Sequence, residues 1–165
     1  MAFKPTRDRV DPQKINTTPM RRPSWIKVDQ PSGETYEWLK GLMRRKELHT
    51  VCEEAKCPNM GECWGSGTAT FLVLGDVCTR TCGFCDIKRG KPLPVDWEEP
   101  ERLGQAIKEL QLKHVVLTSV CRDDLADGGA QFWAKTIRTV KQINPSVTME
   151  VLIPDFRNDK QALNL

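Results

Sequence analysis

The chain has 165 residues, 39% of them hydrophobic and 28% charged, with a formal net charge of +3, enough for one domain with a real core plus an appended segment. Basic and acidic residues are interleaved rather than gathered into the stripe of a nucleic-acid binder. No apolar run reaches the ~18 residues of a membrane span, and "MAFKPTRDRVDPQK" lacks the apolar centre of a secretory leader. The expectation is a cytoplasmic chain with no nucleic-acid or membrane partner. In a reducing compartment its seven cysteines read as metal ligands or redox groups rather than disulfide partners.

Residues 1–35 are rich in proline, threonine and basic side chains without periodicity, and read as an extended arm with Trp25 and Ile26 as its anchors. A second segment, 36–67, begins in the helix pattern "ETYEWLKGLMRRKELHTVCEEA", with Trp38, Leu39, Leu42 and Met43 on one face, Ser32 or Thr35 as cap, and basic residues late. It runs directly into Cys52. The third segment, 68–165, alternates apolar strands with helices: "TATFLVLGDV", a cysteine loop, then "WEEPERLGQAIKELQ" with Leu103, Ile107 and Leu110 at helical spacing. "HVVLTSV" over 114–120 follows as a second strand, then the loop "CRDDLADGG" and a helix "AQFWAKTIRTVKQI" closed by Asn144 and Pro145. A third strand, "VTMEVLI" over 147–153, leads to "RNDKQALNL" as the start of a third helix.

This order predicts an α/β fold of about three βα units, with parallel strands, right-handed crossovers and both sheet faces covered. Three such strands leave an edge unpaired, so the expectation is part of a larger barrel or open sheet, with a cysteine-bearing N-terminal extension.

Cys78, Cys82 and Cys85, in "VCTRTCGFCDIKRG", are spaced C-x3-C-x2-C where the first strand ends. Structural zinc sites favour paired C-x2-C knuckles giving four ligands. Three soft thiolates instead suit a four-iron cluster with one iron left open to a small molecule. The end of a parallel strand is also where α/β barrels place active sites. A second trio, Cys52, Cys57 and Cys63 in "CEEAKCPNMGEC", is spaced C-x4-C-x5-C. On spacing alone, a zinc-stabilised domain that docks proteins through its arm is the alternative.

The first spacing, with aromatic Phe84 before the last cysteine, resembles the signature of the radical S-adenosylmethionine superfamily. "LHTVCEEAKCPNMGECW", "LTSVCRDDLADGGAQ" and "VLIPDF" narrow the resemblance to the lipoyl synthase family, over about residues 20–165. The resemblance implies a partial (βα) barrel of the radical S-adenosylmethionine type and two [4Fe-4S] clusters. One, on Cys78, Cys82 and Cys85, would bind S-adenosylmethionine, with the backbone near Phe84 against the adenine. The other, auxiliary and on Cys52, Cys57 and Cys63, would be the sulfur source. It implies a sulfurtransferase that puts two sulfurs at carbons 6 and 8 of a protein-bound octanoyl chain, whose unactivated C–H bonds no ordinary base can open. No catalytic side chain is assignable beyond the clusters. Implied partners are an octanoylated lipoyl carrier domain or H protein, a ferredoxin- or flavodoxin-type donor and cluster-assembly proteins. The family's serine ligand to the auxiliary cluster has no counterpart here, and the expectation is a C-terminally truncated chain.

Thr118, Ser119, Arg122 and Asp123 end the second strand and are candidates to line the cofactor pocket, or else a capped loop in which Asp127 caps the following helix. Glu150 is expected as a buried carboxylate of the third strand and a candidate for the S-adenosylmethionine site. Cys121, where the family more often has an acid, is read as a small packing residue. His49 and His114 read as ordinary residues, Lys88, Arg89 and Lys91 as a solvated surface, and Trp64 and Phe71 as core.

Overall fold

The structure, a computed structural model, describes residues 32–66 and 68–165. The expected anchors Trp25 and Ile26 lie outside the described residues. Helix α1, Glu34–Arg45, has Glu34 and Glu37 in its first turn and Arg44 and Arg45 in its last, a charge order that favours the helix dipole. Its inner face is Tyr36, Leu39, Leu42 and Met43, while Trp38 stays 43% exposed. Tyr36 takes the place expected of Trp38 because it stacks near Trp64, ring centroids 5.3 Å apart. Neither Ser32 nor Thr35 caps the helix; Gly33 holds that position without a side-chain bond.

Strand β1, His49–Thr50, and the short helices α2, Val51–Glu54, and α3, Met60–Gly65, carry the second cysteine trio. Strand β2, Thr70–Val73, helix α4, Glu99–Glu109, strand β3, His114–Ser119, helix α5, Ala130–Ile143, and strand β4, Thr148–Leu152, follow. The sheet order is β1-β2-β3-β4. β2, β3 and β4 are parallel, as the alternation predicts, but β1 runs antiparallel to β2, with His49 opposite Leu72 and Thr50 opposite Phe71. The sheet is therefore mixed.

The register explains which face is covered. Val115 pairs with Met149 and Leu117 with Val151 on one face, while Val116 pairs with Glu150 and Thr118 with Leu152 on the other. Val115 and Leu117 are buried, whereas Glu150 and Leu152 are exposed. Right-handed crossovers between neighbouring strands put both connecting helices on the same side. Helices α4 and α5 pack closely, and Asn144 donates to the Gly104 carbonyl at 2.9 Å. Along β3 and β4 only one face is thus buried, in contrast to the two covered faces expected. Strand β2 is buried at Phe71, Leu72 and Val73.

Beyond β4 no third α-helix forms: Phe156–Asn158 and Ala162–Asn164 are single 3-10 turns. Asp155 accepts from Arg157 N–H at 3.0 Å and Asp159 from Gln161 N–H at 2.8 Å. Such local side-chain bonds compete with helix propagation. Phe156, Arg157 and Asn158 all have positive φ, at 42°, 56° and 63°. Among the described residues no helix is long and apolar enough to cross a membrane.

Candidate functional site

The first cysteine loop leaves β2 through Leu74, whose φ of 69° lies in the left-handed region. This conformation is costly for a branched side chain, and two buried groups hold it. Leu74 N–H donates to Glu99 Oε2 at 3.1 Å, and Arg122 Nη1 donates to the Leu74 carbonyl at 3.4 Å. The neck of the loop then closes: Cys78 N–H donates to the Lys88 carbonyl at 2.8 Å and Gly90 N–H to the Cys78 carbonyl at 3.1 Å. At the tip, Arg89 Nη2 donates to the carbonyls of Cys82, 2.8 Å, and Cys85, 3.2 Å. Arg89, expected as solvated surface, therefore shapes the loop. Phe84 projects from it, 95% exposed.

Cys78 is the anchored thiol of its trio. Its Sγ accepts from Arg80 N–H at 3.4 Å and from Cys121 N–H at 3.3 Å. Cys121, expected as a small packing residue, is half-buried beside Cys78: burial first, and then the neighbouring Cys78, push its thiol up to about 11. Thr79 Oγ1 donates to the Cys121 carbonyl at 2.9 Å and accepts from Asp123 N–H at 3.1 Å. Arg80 forms a bidentate pair with Asp123, 2.7 and 2.8 Å, and another with Asp155, 2.8 and 2.7 Å. Hydrogen bonds from its guanidinium hold the Asp123 carboxyl below the usual range and bring that of Asp155 to about 2.

In the second trio, Thr50, fully buried, caps α2 by accepting from Glu53 N–H at 3.2 Å. Cys57 N–H donates to the Cys52 carbonyl at 3.0 Å, and Cys63 N–H to the Asn59 carbonyl at 3.0 Å. Burial first, then the charges of Cys52 and Cys57, raise the Cys63 thiol. The two trios are also neighbours, since Lys56, beside Cys57, reaches Asp86, beside Cys85, at 3.5 Å.

The remaining candidates divide. Arg122, 3% exposed, spends its guanidinium on Asp124 and on the Leu74 and Leu93 carbonyls. Asp123 is held by Arg80. Ser119 Oγ accepts from Trp133 Nε1 at 3.0 Å, and Thr118 donates to the Leu152 carbonyl at 3.1 Å. Glu150 is not buried; it lies on the open sheet face, its Oε2 3.7 Å from His114 Nε2. The uncovered face of β4 removes the burial expected of it. Asp127 does cap α5, accepting from Gln131 N–H at 2.8 Å, and Trp64 and Phe71 are core as expected, 0% and 1% exposed. Arg80, Asp155 and Glu99 escape a reading of local pattern. The only signal for Arg80 is its place between two cysteines.

Among the described residues, no three Cys, His, Asp or Glu side chains come close enough to share one metal ion. One ion would need sulfurs within ~2.3 Å of itself, whereas a cubane spreads its ligands over separate corners. The donor set fits such a cluster: each trio supplies three free thiols, and backbone N–H groups face Cys78 Sγ, as suits a ligating thiolate.

A family model described as the N-terminal domain of lipoyl synthase of the radical SAM family matches residues 5–57. A lipoyl synthase of Flavobacterium johnsoniae is 52% identical over 150 residues, covering 91% of this chain and 52% of the relative. One of Chloroflexus aggregans is 54% identical over 154 residues, 93% of this chain and 50% of the relative. A "Lipoyl synthase, mitochondrial" of Nematostella vectensis is 50% identical over 143 residues, 87% and 49% of the two chains. The chain spans about half the length of the curated relatives it matches. With half of all aligned residues identical over about nine-tenths of its length, the chain matches the lipoyl synthase family across the half of those proteins that it spans.

Proposed function

We propose that this chain carries the cluster-binding part of a lipoyl synthase, which inserts two sulfurs at carbons 6 and 8 of a protein-bound octanoyl chain. The observation that carries the reading is the pair of cysteine trios, C-x4-C-x5-C and C-x3-C-x2-C, neighbours across the Lys56–Asp86 pair. When bound, two [4Fe-4S] clusters and S-adenosylmethionine would supply a carbon-centred radical able to take an unactivated hydrogen, together with the sulfur. The protein's part is to hold and orient. Cys78, Cys82 and Cys85 would grip one cluster and Cys52, Cys57 and Cys63 the other. The exposed Phe84 segment would meet the adenine. Thr118 and Glu150, on the open face of β3 and β4, would line the interior of a partial (βα) barrel, with Ser119 at the strand end. Arg122 and Asp123 would support that end rather than touch the cofactor, because their charges are already paired.

The partners in this reading are an octanoylated lipoyl carrier domain or H protein, a ferredoxin- or flavodoxin-type donor and cluster-assembly proteins. Residues 36–67 and 68–165 would form two functional segments on one sheet, in the cytoplasm or another compartment where thiols stay reduced. The zinc-domain alternative is disfavoured by the match to lipoyl synthases, about half of the aligned residues being identical over most of this chain.

Anaerobic reconstitution tests the reading. About eight iron and eight sulfide per chain are expected for two cubanes, and Cys78→Ala and Cys63→Ala should each remove about half. Zinc without sulfide would overturn it. Incubation with S-adenosylmethionine, reductant and an octanoylated peptide should then release 5'-deoxyadenosine.

A further inference from the structure

The bonds that hold the first cysteine loop are unequally distributed. Cys82, Gly83 and Phe84 are exposed, and the tip is tied by Arg89 and by Cys85 N–H donating to the Cys82 carbonyl at 3.3 Å. The segment Cys78–Thr79–Arg80 instead lies along the residues that follow β3. Thr79 N–H donates to the Cys121 carbonyl at 3.1 Å, while Thr79 Oγ1 bonds both Cys121 and Asp123. Arg80 extends this zipper to a third loop, because its guanidinium spans Asp123, after β3, and Asp155, after β4, through four bonds of 2.7–2.8 Å.

Asp155 is itself held in place at a cost. It precedes three consecutive left-handed residues, Phe156, Arg157 and Asn158, a conformation unfavourable at each of them. Phe156 is 4% exposed and packs over Gly128. Arg157 donates to the carbonyls of Leu125, at 3.1 Å, and Ala126. A strained turn is thus pinned to the β3 loop at several points, and its product is a carboxylate aimed at the residue two positions from Cys78.

We propose that Arg80, clamped between Asp123 and Asp155, is a positioning residue that fixes Cys78 against the ends of β3 and β4, so that these strands set where a cluster held by the loop would sit. The inference rests on the cluster reading of this trio. It adds that the loop is preorganised by one guanidinium reaching two neighbouring strand ends, in line with the need for a rigid shell around metal ligands.

The test uses the whole chain in two states. In the metal-free, reduced chain, alkylation of each cysteine is followed by mass spectrometry. Arg80→Gln should speed modification of Cys78 about tenfold, the scale expected for losing a charge-assisted anchor, while Cys82, already exposed, changes less than about twofold. Asp155→Asn, a change at a largely exposed side chain, should give a smaller rise in the same direction, and Arg80→Lys should recover part of the loss. In the reconstituted chain, Arg80→Gln should keep its iron and sulfide but alter the electron paramagnetic resonance line shape of the reduced cluster, a signature that Arg80→Lys partly restores. Cys78 alkylation at the native rate in both Arg80→Gln and Asp155→Asn would overturn the proposal, as would an unchanged line shape in Arg80→Gln. Failure of the native chain to take up iron and sulfide would strike the cluster reading instead, with the alkylation rates still deciding the role of Arg80.

Discussion

Glu99 gives the sharpest thermodynamic test of the packing beneath the site. It is 4% exposed, its Oε2 accepts from Leu74 N–H, and its Oε1 has no protein partner. Burial, offset only in part by the Leu74 N–H, raises its pKa from 4.5 to about 7. Below pH 4.5 the carboxyl is protonated in the folded and unfolded chains alike and makes no pH-dependent difference. Between 4.5 and 7 the unfolded chain gives up the proton and the folded one keeps it, so stability falls as pH rises. At ~1.4 kcal/mol per pH unit the whole loss is ~3 kcal/mol, of which ~2.5 kcal/mol lies between pH 5 and pH 8. In Glu99→Gln the amide oxygen can still accept from Leu74 and the amide nitrogen replaces the unpartnered oxygen, an offset of ~1–3 kcal/mol independent of pH. Asp96 and Arg102, which push Glu99 in opposite directions, are present in both proteins. Urea unfolding at a series of pH values should therefore show the variant gaining on the native chain by ~2.5 kcal/mol from pH 5 to pH 8, or more than 1 M in midpoint at a slope of ~2 kcal/mol/M. Parallel profiles for the two proteins would refute the buried, proton-holding carboxyl.

Three further outcomes follow from packing and pairing. Leu117→Ala, at a fully buried position of β3, should cost ~2–5 kcal/mol, read from the urea midpoint. A Cβ at Gly104 would come within 2.5 Å of Ile143 Cδ1, so Gly104→Ala should cost ~1–3 kcal/mol; Ile143→Val removes that methyl, and a double-mutant cycle should show the pair costing less than the sum of the single changes. Arg122→Leu should destabilise by ~2–4 kcal/mol, because it strands the Leu74 and Leu93 carbonyls and removes the partner of Asp124, and thermal unfolding by circular dichroism will check it.

What the sequence made legible was what repeats at short range. Helix α5 has the expected bounds, Ala130–Ile143, since its apolar period is long and Asn144 and Pro145 end it. Leu103 and Ile107 were readable for the same reason. Strand β1 was not, because two residues carry no period and its antiparallel pairing is settled only by its partner. Trp38 and Tyr36 could not be ranked on a helical wheel, since the position of Trp64 decides between them. The cysteine trios were visible as spacing. The supports of the first trio were not, because Arg80 meets partners 43 and 75 positions away. Glu99 looked like one more acid on a helix surface, and only the fold reveals that it caps a left-handed residue.

Strand β1 is only two residues long, yet it hooks the segment carrying Cys52 onto the strand that delivers Cys78. Both sets of sulfurs therefore follow neighbouring strands of one sheet. The separation of the two sets is thus tied to backbone pairing, so tuning it calls for a shift in strand register rather than a looser linker.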